Sequence, residues 1–159
     1  MKKTLLSMTL TTLLVAAGTA VAIEQRPILT LEVAKKMAAA CEARAKQEGW
    51  KMNIAILDSG GNMKHFSRMD DSFLKSIEIA QLKASTSAGL PFSTKQIGEI
   101  AAKVPGIAFV PGIVTFEGGL PILTADGKHI GSIGVSGASA EQDGMCAQVG
   151  LDAVKSDLK

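Results

Sequence analysis

The sequence predicts one α+β domain, an antiparallel sheet with helices packed on it, and three observations carry that prediction. Turn-forming residues stand twice between short strand-like runs, at Asp58-Ser59-Gly60-Gly61-Asn62 and at Asp126-Gly127. Helix-start signals recur at Thr30, at Ser93 with Gln96, and at Ser139 with Gln142, the last two as capping boxes. The order along the chain is helix, two strands, two helices, roughly three strands and a final helix, which stacks helices on hairpins rather than alternating strand and helix.

The first 22 residues read as a cleaved leader rather than as part of the fold. Lys2-Lys3 forms a basic start, Leu5 to Ala17 an apolar run broken only by Ser and Thr, and Ala20-Val21-Ala22 a small-residue cleavage site, so the mature domain begins at Ile23 and extends to Lys159. The apolar run is too short to span a bilayer, and export to the periplasm or the medium is expected. No membrane span is expected after processing.

Thr30 caps a helix to about Glu48 with Ala34, Met37, Ala38, Cys41 and Ala45 as its apolar stripe, and Gly49 ends it. Met52 to Leu57 and Met63 to Met69 form the first hairpin, and a helix follows from about Ser72 to Ala88. Its stripe of Ile77, Ala80, Leu82, Ala84 and Ala88 is interrupted by polar residues. A short helix runs from Ser93 to about Lys103, and VPGIAFVPGI is an irregular link bounded by Pro and Gly. Leu120 to Thr124 and Lys128 to Ser136 make the central hairpin, joined by a two-residue Asp126-Gly127 turn of type I′ with φ > 0 at Gly127. Glycines 118, 119, 131, 134 and 137 leave bare backbone beside it, for close packing of a helix or for a flat ligand.

Composition narrows the function. Without the leader, 2 of 17 basic residues go and none of the 15 acidic ones, so the net charge of +2 falls to zero. No Lys/Arg cluster interleaved with aromatics remains, which argues against a nucleic-acid partner. Five Phe, one Trp and no Tyr leave an aliphatic core with Met as filler. Cys41 and Cys146 show no metal-binding spacing; they are either a disulfide tying the first helix to the last or two small buried residues on adjacent helices.

The catalytic inventory is thin. Ser136 to Ser139 with His129 lacks an orienting carboxylate, and no elbow, metalloprotease or phosphate-loop motif occurs in the right context. Binding chemistry is better represented. Glu117-Gly118-Gly119, Arg68 and Lys83 supply a carboxylate, open backbone and two cations, a set suited to the propionates of a tetrapyrrole or another flat acidic ligand. His65, His129 or a methionine can supply an axial metal ligand. His65 takes preference because it precedes Arg68 by three residues near the end of the first hairpin.

Four segments in register, ILDSGGNMKHFSRMD, SIEIAQLKA, PGIVTFEGGLPI and IGSIGVSGASAEQDGMCAQVGLDA, resemble the GlcG/HbpS family of small heme-binding proteins, which includes the C-terminal domain of the corrinoid adenosyltransferase PduO. The likeness runs from Leu29 to about Val154. It implies a five-stranded antiparallel sheet with helices on both faces, broadly profilin-like, and self-association from dimers to octamers. It also implies heme as cofactor, with a part in heme sensing, uptake or storage in exported members. On that reading Glu117, Gly118, Gly119, Gly137, Arg68, Lys83 and His129 are cofactor-binding candidates and His65 the metal ligand. A small enzyme acting on a corrinoid or an acidic metabolite, with Glu117, Asp143 or His129 as acid or base, is the competing reading, and a ligand-free structural partner is a third.

Overall fold

The computed structural model describes residues 26–159, so the expected leader lies outside the described residues. Four helices and four strands follow in the order α1 (Leu31–Glu48), β1 (Asn53–Asp58), β2 (Met63–Arg68), α2 (Lys75–Gly89), α3 (Thr94–Lys103), β3 (Gly119–Leu123), β4 (His129–Ser136) and α4 (Ala140–Ala153). The three capped helices start where their signals stand: Thr30, Ser93 and Ser139 accept from the backbone N–H groups of Val33, Gln96 and Gln142. Gly49 closes α1 in the left-handed region at φ 74°. Helix α2 has no side-chain cap and starts at Lys75, after Asp71 turns the chain at φ 62°.

The strands form one antiparallel sheet in the order β2-β1-β4-β3. Four strands, not five, are present among the described residues. The stretch leading into β3 lies against α2 and α3 rather than in the sheet: the Val114 N–H donates to Thr86 Oγ1, and a Cβ on Gly98 would stand 2.2 Å from the Thr115 carbonyl oxygen. Pro105–Phe109 within the irregular link forms a short 3-10 turn.

Period-two alternation gives each face its own core. Ile54, Ile56, Ile133 and Val135 point to the side covered by α1 and α4, where they join Met37, Ala38, Cys41 and Ala147. Ala55 and Leu57 point to the other side, against Ala80 and Ala84 of α2. There α2 lies almost on the backbone of β4: a Cβ on Gly134 would stand 2.2 Å from the Ala80 carbonyl oxygen, and Ser132 Oγ donates to the Ala84 carbonyl at 2.7 Å. Cys41 and Cys146 are disulfide-bonded and join α1 to α4.

Both hairpins close with the same three-residue turn. In the first, the Gly61 N–H donates to the Asp58 carbonyl and the Asp58 N–H to Asn62; in the second, Gly127 donates to Thr124 and Thr124 to Lys128. Each glycine has positive φ, Gly61 at 77° and Gly127 at 81°, while Asp126 does not. The central turn is therefore a type I turn followed by a left-handed glycine, in place of the expected type I′ pair, and Thr124 Oγ1 holds it by accepting from the Lys128 N–H. No atom lies within 4 Å of a Cβ built on Gly127, so Gly127→Val acts through backbone strain alone. A loss of about 1–3 kcal/mol in a urea melt is expected, and an unchanged midpoint would show that the turn is drawn wrongly.

Candidate functional site

The pairing sends β1 and β3 one way and β2 and β4 the other, so both hairpin turns share one end of the sheet. Arg68, Gly118, Gly119 and Gly137 gather at the opposite end, and the sequence candidates are divided between the two.

The glycine-rich end is built around a buried ion pair. Lys83 is 0 % exposed, and its Nζ donates to Asp143 Oδ2 at 2.7 Å and to the Val135 carbonyl at 3.0 Å, with the Phe116 ring centroid 4.9 Å away. Asp143 Oδ1 in turn accepts from the Ala138 N–H at 3.1 Å. Burial pushes the Lys83 ammonium below the usual lysine range and the Asp143 carboxyl above the usual carboxylate range, and each charge opposes the other's drift. Lys83 donates to two acceptors and Asp143 accepts from two donors, so both groups find their partners within the fold.

The motif glycines are where the chain packs against itself, Gly118 against this pair and Gly119 and Gly137 against neighbouring backbone. A Cβ on Gly118 would lie 2.5 Å from Lys83 Nζ, one on Gly119 2.5 Å from the Lys83 carbonyl oxygen, and one on Gly137 2.1 Å from the Lys51 carbonyl oxygen. Of the two roles open to these glycines, close packing is the one the structure adopts, since the chain's own atoms fill the space a flat ligand would need. Lys83 is fully buried against the chain's own acceptors, a correction to its expected role as a propionate partner. Glu117 packs over Gly144 and pairs with Lys95 at 3.1 Å.

Arg68 lies across the sheet on the edge strand β2 and lines a groove of about 310 Å³ with Lys46, Lys51, Glu42 and Asp70. His65 is not in that wall. It pairs with Ile56 and so shares the face of α1, whereas Arg68 pairs with Asn53, whose side chain reaches Ser76 of α2. A separation of three along a strand sends two side chains to opposite faces, so the nearness in sequence that favoured His65 with Arg68 does not bring them into one pocket.

His129 opens β4 at the turn end. It lines a groove of about 430 Å³ with Arg26, Pro27, Ser59 and Lys128. Its Nε2 is buried and has no hydrogen-bond partner among the described residues. No cluster of three or more His, Cys, Asp or Glu that could hold a metal ion occurs among them either.

Sequence reading missed Arg26 beside His129 and Lys46 and Lys51 beside Arg68, which come from other segments of the chain. It also missed the pairing of Lys83 with Asp143, though one signal was present: Ser76, Ala80, Lys83 and Ser87 recur at helical spacing and are all buried, so the lysine stands on the inward face of α2 and needs a carboxylate.

These features place the molecule among small α+β domains whose helices enclose a twisted sheet and whose grooves lie at its ends. The chain belongs to the HbpS-like family, whose model, described as haem degrading protein HbpS-like, matches residues 29–152. It is 37 % identical to GlcG of Escherichia coli over 111 residues, covering 69 % of this chain and 81 % of that protein. A double mutant of HbpS from Streptomyces reticuli superposes with a TM-score of 0.79 at 31 % identity, covering 87 % of this chain and 95 % of that one. A PduOC:heme complex superposes at 0.73 with 30 % identity, covering 80 % and 95 %. Among the described residues no helix is long and apolar enough to cross a membrane.

Proposed function

We propose that this chain is an exported heme-binding protein that acts as a homo-oligomer in heme sensing, uptake or storage and has no turnover of its own. The observation that carries the reading is the match, over four-fifths of the chain, to a relative whose solved structure is a heme complex. Bound heme supplies an iron centre that takes an axial nitrogen and propionates that take cations. Residue types that meet that demand stand at both ends of the sheet: His129 with Arg26 and Lys128 lines one groove, and Arg68, Lys46 and Lys51 line a second. The enzyme alternative finds less support, because Asp143 is committed to the buried Lys83.

Export is supported by the basic start, the apolar run and Ala20-Val21-Ala22, and by a disulfide, which persists mainly in oxidising compartments. Self-association is supported by Phe73, Leu74, Phe109 and Val110, which are 51 %, 79 %, 83 % and 50 % exposed. Hemin titrated into exported protein of intact mass beginning at Ile23 should give a shifted, sharpened Soret band at one equivalent per chain. A spectrum identical to free hemin would remove the heme reading, and mass retaining Met1 would remove the export reading.

A further inference from the structure

We infer that the open edge of β2 is a docking site for an extended acidic segment of a partner protein. That segment adds to the sheet as a further strand and lays its carboxylates in the groove lined by Lys46, Lys51 and Arg68. The heme reading and this docking edge stand independently of each other.

The sheet has two edges, and the fold treats them differently. On β3 the outward N–H groups are taken or removed. The Gly118 carbonyl accepts from Val135 of β4, so the next N–H, that of Gly119, points away from the sheet and donates to Thr94 Oγ1 at 2.9 Å. Two residues further on stands Pro121, which has no N–H to offer. Nothing of the kind closes β2. The Met69 N–H donates to the Met52 carbonyl, and the pairs of Ser67 with Ile54 and His65 with Ile56 follow at a spacing of two, so Phe66 and Arg68 turn their N–H and C=O groups away from β1. Among the described residues no group bonds to them from that side. An open row of donors and acceptors is a template for another strand.

Charge selects the kind of strand. Lys46 in the last turn of α1, Lys51 ahead of β1 and Arg68 at the end of β2 are all exposed and line one groove of about 310 Å³. None of the three has a carboxylate within ion-pair distance among the described residues, whereas Lys36, Arg44, Lys75, Lys83, Lys95 and Lys128 each have one. Of the carboxylates in the groove wall, Glu42 is engaged by Ser67 Oγ, which leaves Asp70 to offset three cations. Glutamates or aspartates on an incoming strand relieve that excess. A second copy of β2 adds to it: in an antiparallel pairing of the edge with itself about Phe66, Lys64 stands opposite Arg68, and Met63–Arg68 holds no acidic residue. The same cations that keep copies of this chain apart therefore admit an acidic partner.

A short capped peptide of alternating glutamate and valine, fluorescently labelled and titrated into the whole protein, is the probe. Its binding should protect the Phe66 and Arg68 amides from hydrogen exchange and leave that of Gly119 unchanged. A glutamate–proline repeat of equal length and charge lacks every second N–H and should bind at least about tenfold more weakly, and a lysine–valine repeat should not bind. Arg68→Glu should weaken the glutamate–valine peptide by about tenfold or more and admit the lysine–valine one, with the urea midpoint of wild type. Binding of the glutamate–proline repeat or of inorganic phosphate as tightly as the glutamate–valine peptide would mean a simple anion site and overturn the strand reading. No binding at millimolar peptide, or protection at another edge, overturns the proposal outright. A change in the mass of the assembly in Arg68→Glu would mean that a second copy covers the edge, and overturns it as well.

Discussion

Lys83→Met is expected to lower the free energy of unfolding by about 3–5 kcal/mol, because it leaves the Asp143 carboxylate buried without its counter-charge. Lys83 and Asp143 are 0 % and 2 % exposed, and their contact at 2.7 Å ties α2 to the N-terminal turn of α4 while Lys83 also holds the β4 carbonyl of Val135. Three elements therefore lose a common anchor at once. The same loss is expected for Asp143→Asn, which keeps the shape and leaves the ammonium unpaired. Lys83→Met combined with Asp143→Leu removes both charges, and this double variant should recover more than half of the loss, since an apolar pair of similar volume often replaces a buried ion pair at little cost. Urea midpoints of the three variants measure this. A single variant within about 1 kcal/mol of wild type would mean that water reaches the pair, as it does in exposed ion pairs. The recovery is limited by the Ala138 N–H and the Val135 carbonyl, which lose their side-chain partners in the double variant.

Removing the disulfide is expected to cost about 3–4 kcal/mol. Cys41 and Cys146 are separated by 105 residues, so the bridge constrains most of the unfolded domain, and loop-closure entropy alone gives about 4.7 kcal/mol for a loop of ~100 residues. Both cysteines are fully buried where α1 crosses α4, and alanine at the two positions removes the bridge with little change in volume. Cys41→Ala with Cys146→Ala should unfold at lower urea than wild type, and wild type under strong reductant should approach the double variant. Equal midpoints for oxidised and reduced wild type would show that the bond adds nothing to the folded state.

Much of the fold was legible because its signals are local. Thr30, Ser93 and Ser139 are read from a single turn of helix, and each caps where expected. The two hairpins follow from turn residues and from alternation within a few residues on either side. Errors arose where distance or geometry entered. The family likeness implied five strands, and four are present among the described residues; the stretch before β3 instead lies against α2 and α3, with the Val114 N–H donating to Thr86 Oγ1. The central turn keeps its left-handed Gly127 but spans three residues, and the register of β3 with β4 shifts beside it between Ile122 and Leu123.

The candidate site divides the same way. Sequence alone determined the helix caps, the positions of the hairpins, the balance of charge and, through four motifs in register, the family. Those properties depend on neighbours along the chain. Only the tertiary structure decided what the motifs do. It turned Glu117-Gly118-Gly119 into the cover of a buried Lys83–Asp143 pair whose partners are 60 residues apart, sent His65 and Arg68 to opposite faces of β2, and set His129 beside Arg26, a residue more than a hundred positions earlier in the chain. The physical reason is that an ion pair or a ligand site is a meeting of side chains in space. Which side chains meet is fixed by strand register and helix packing, and those depend on the whole core at once.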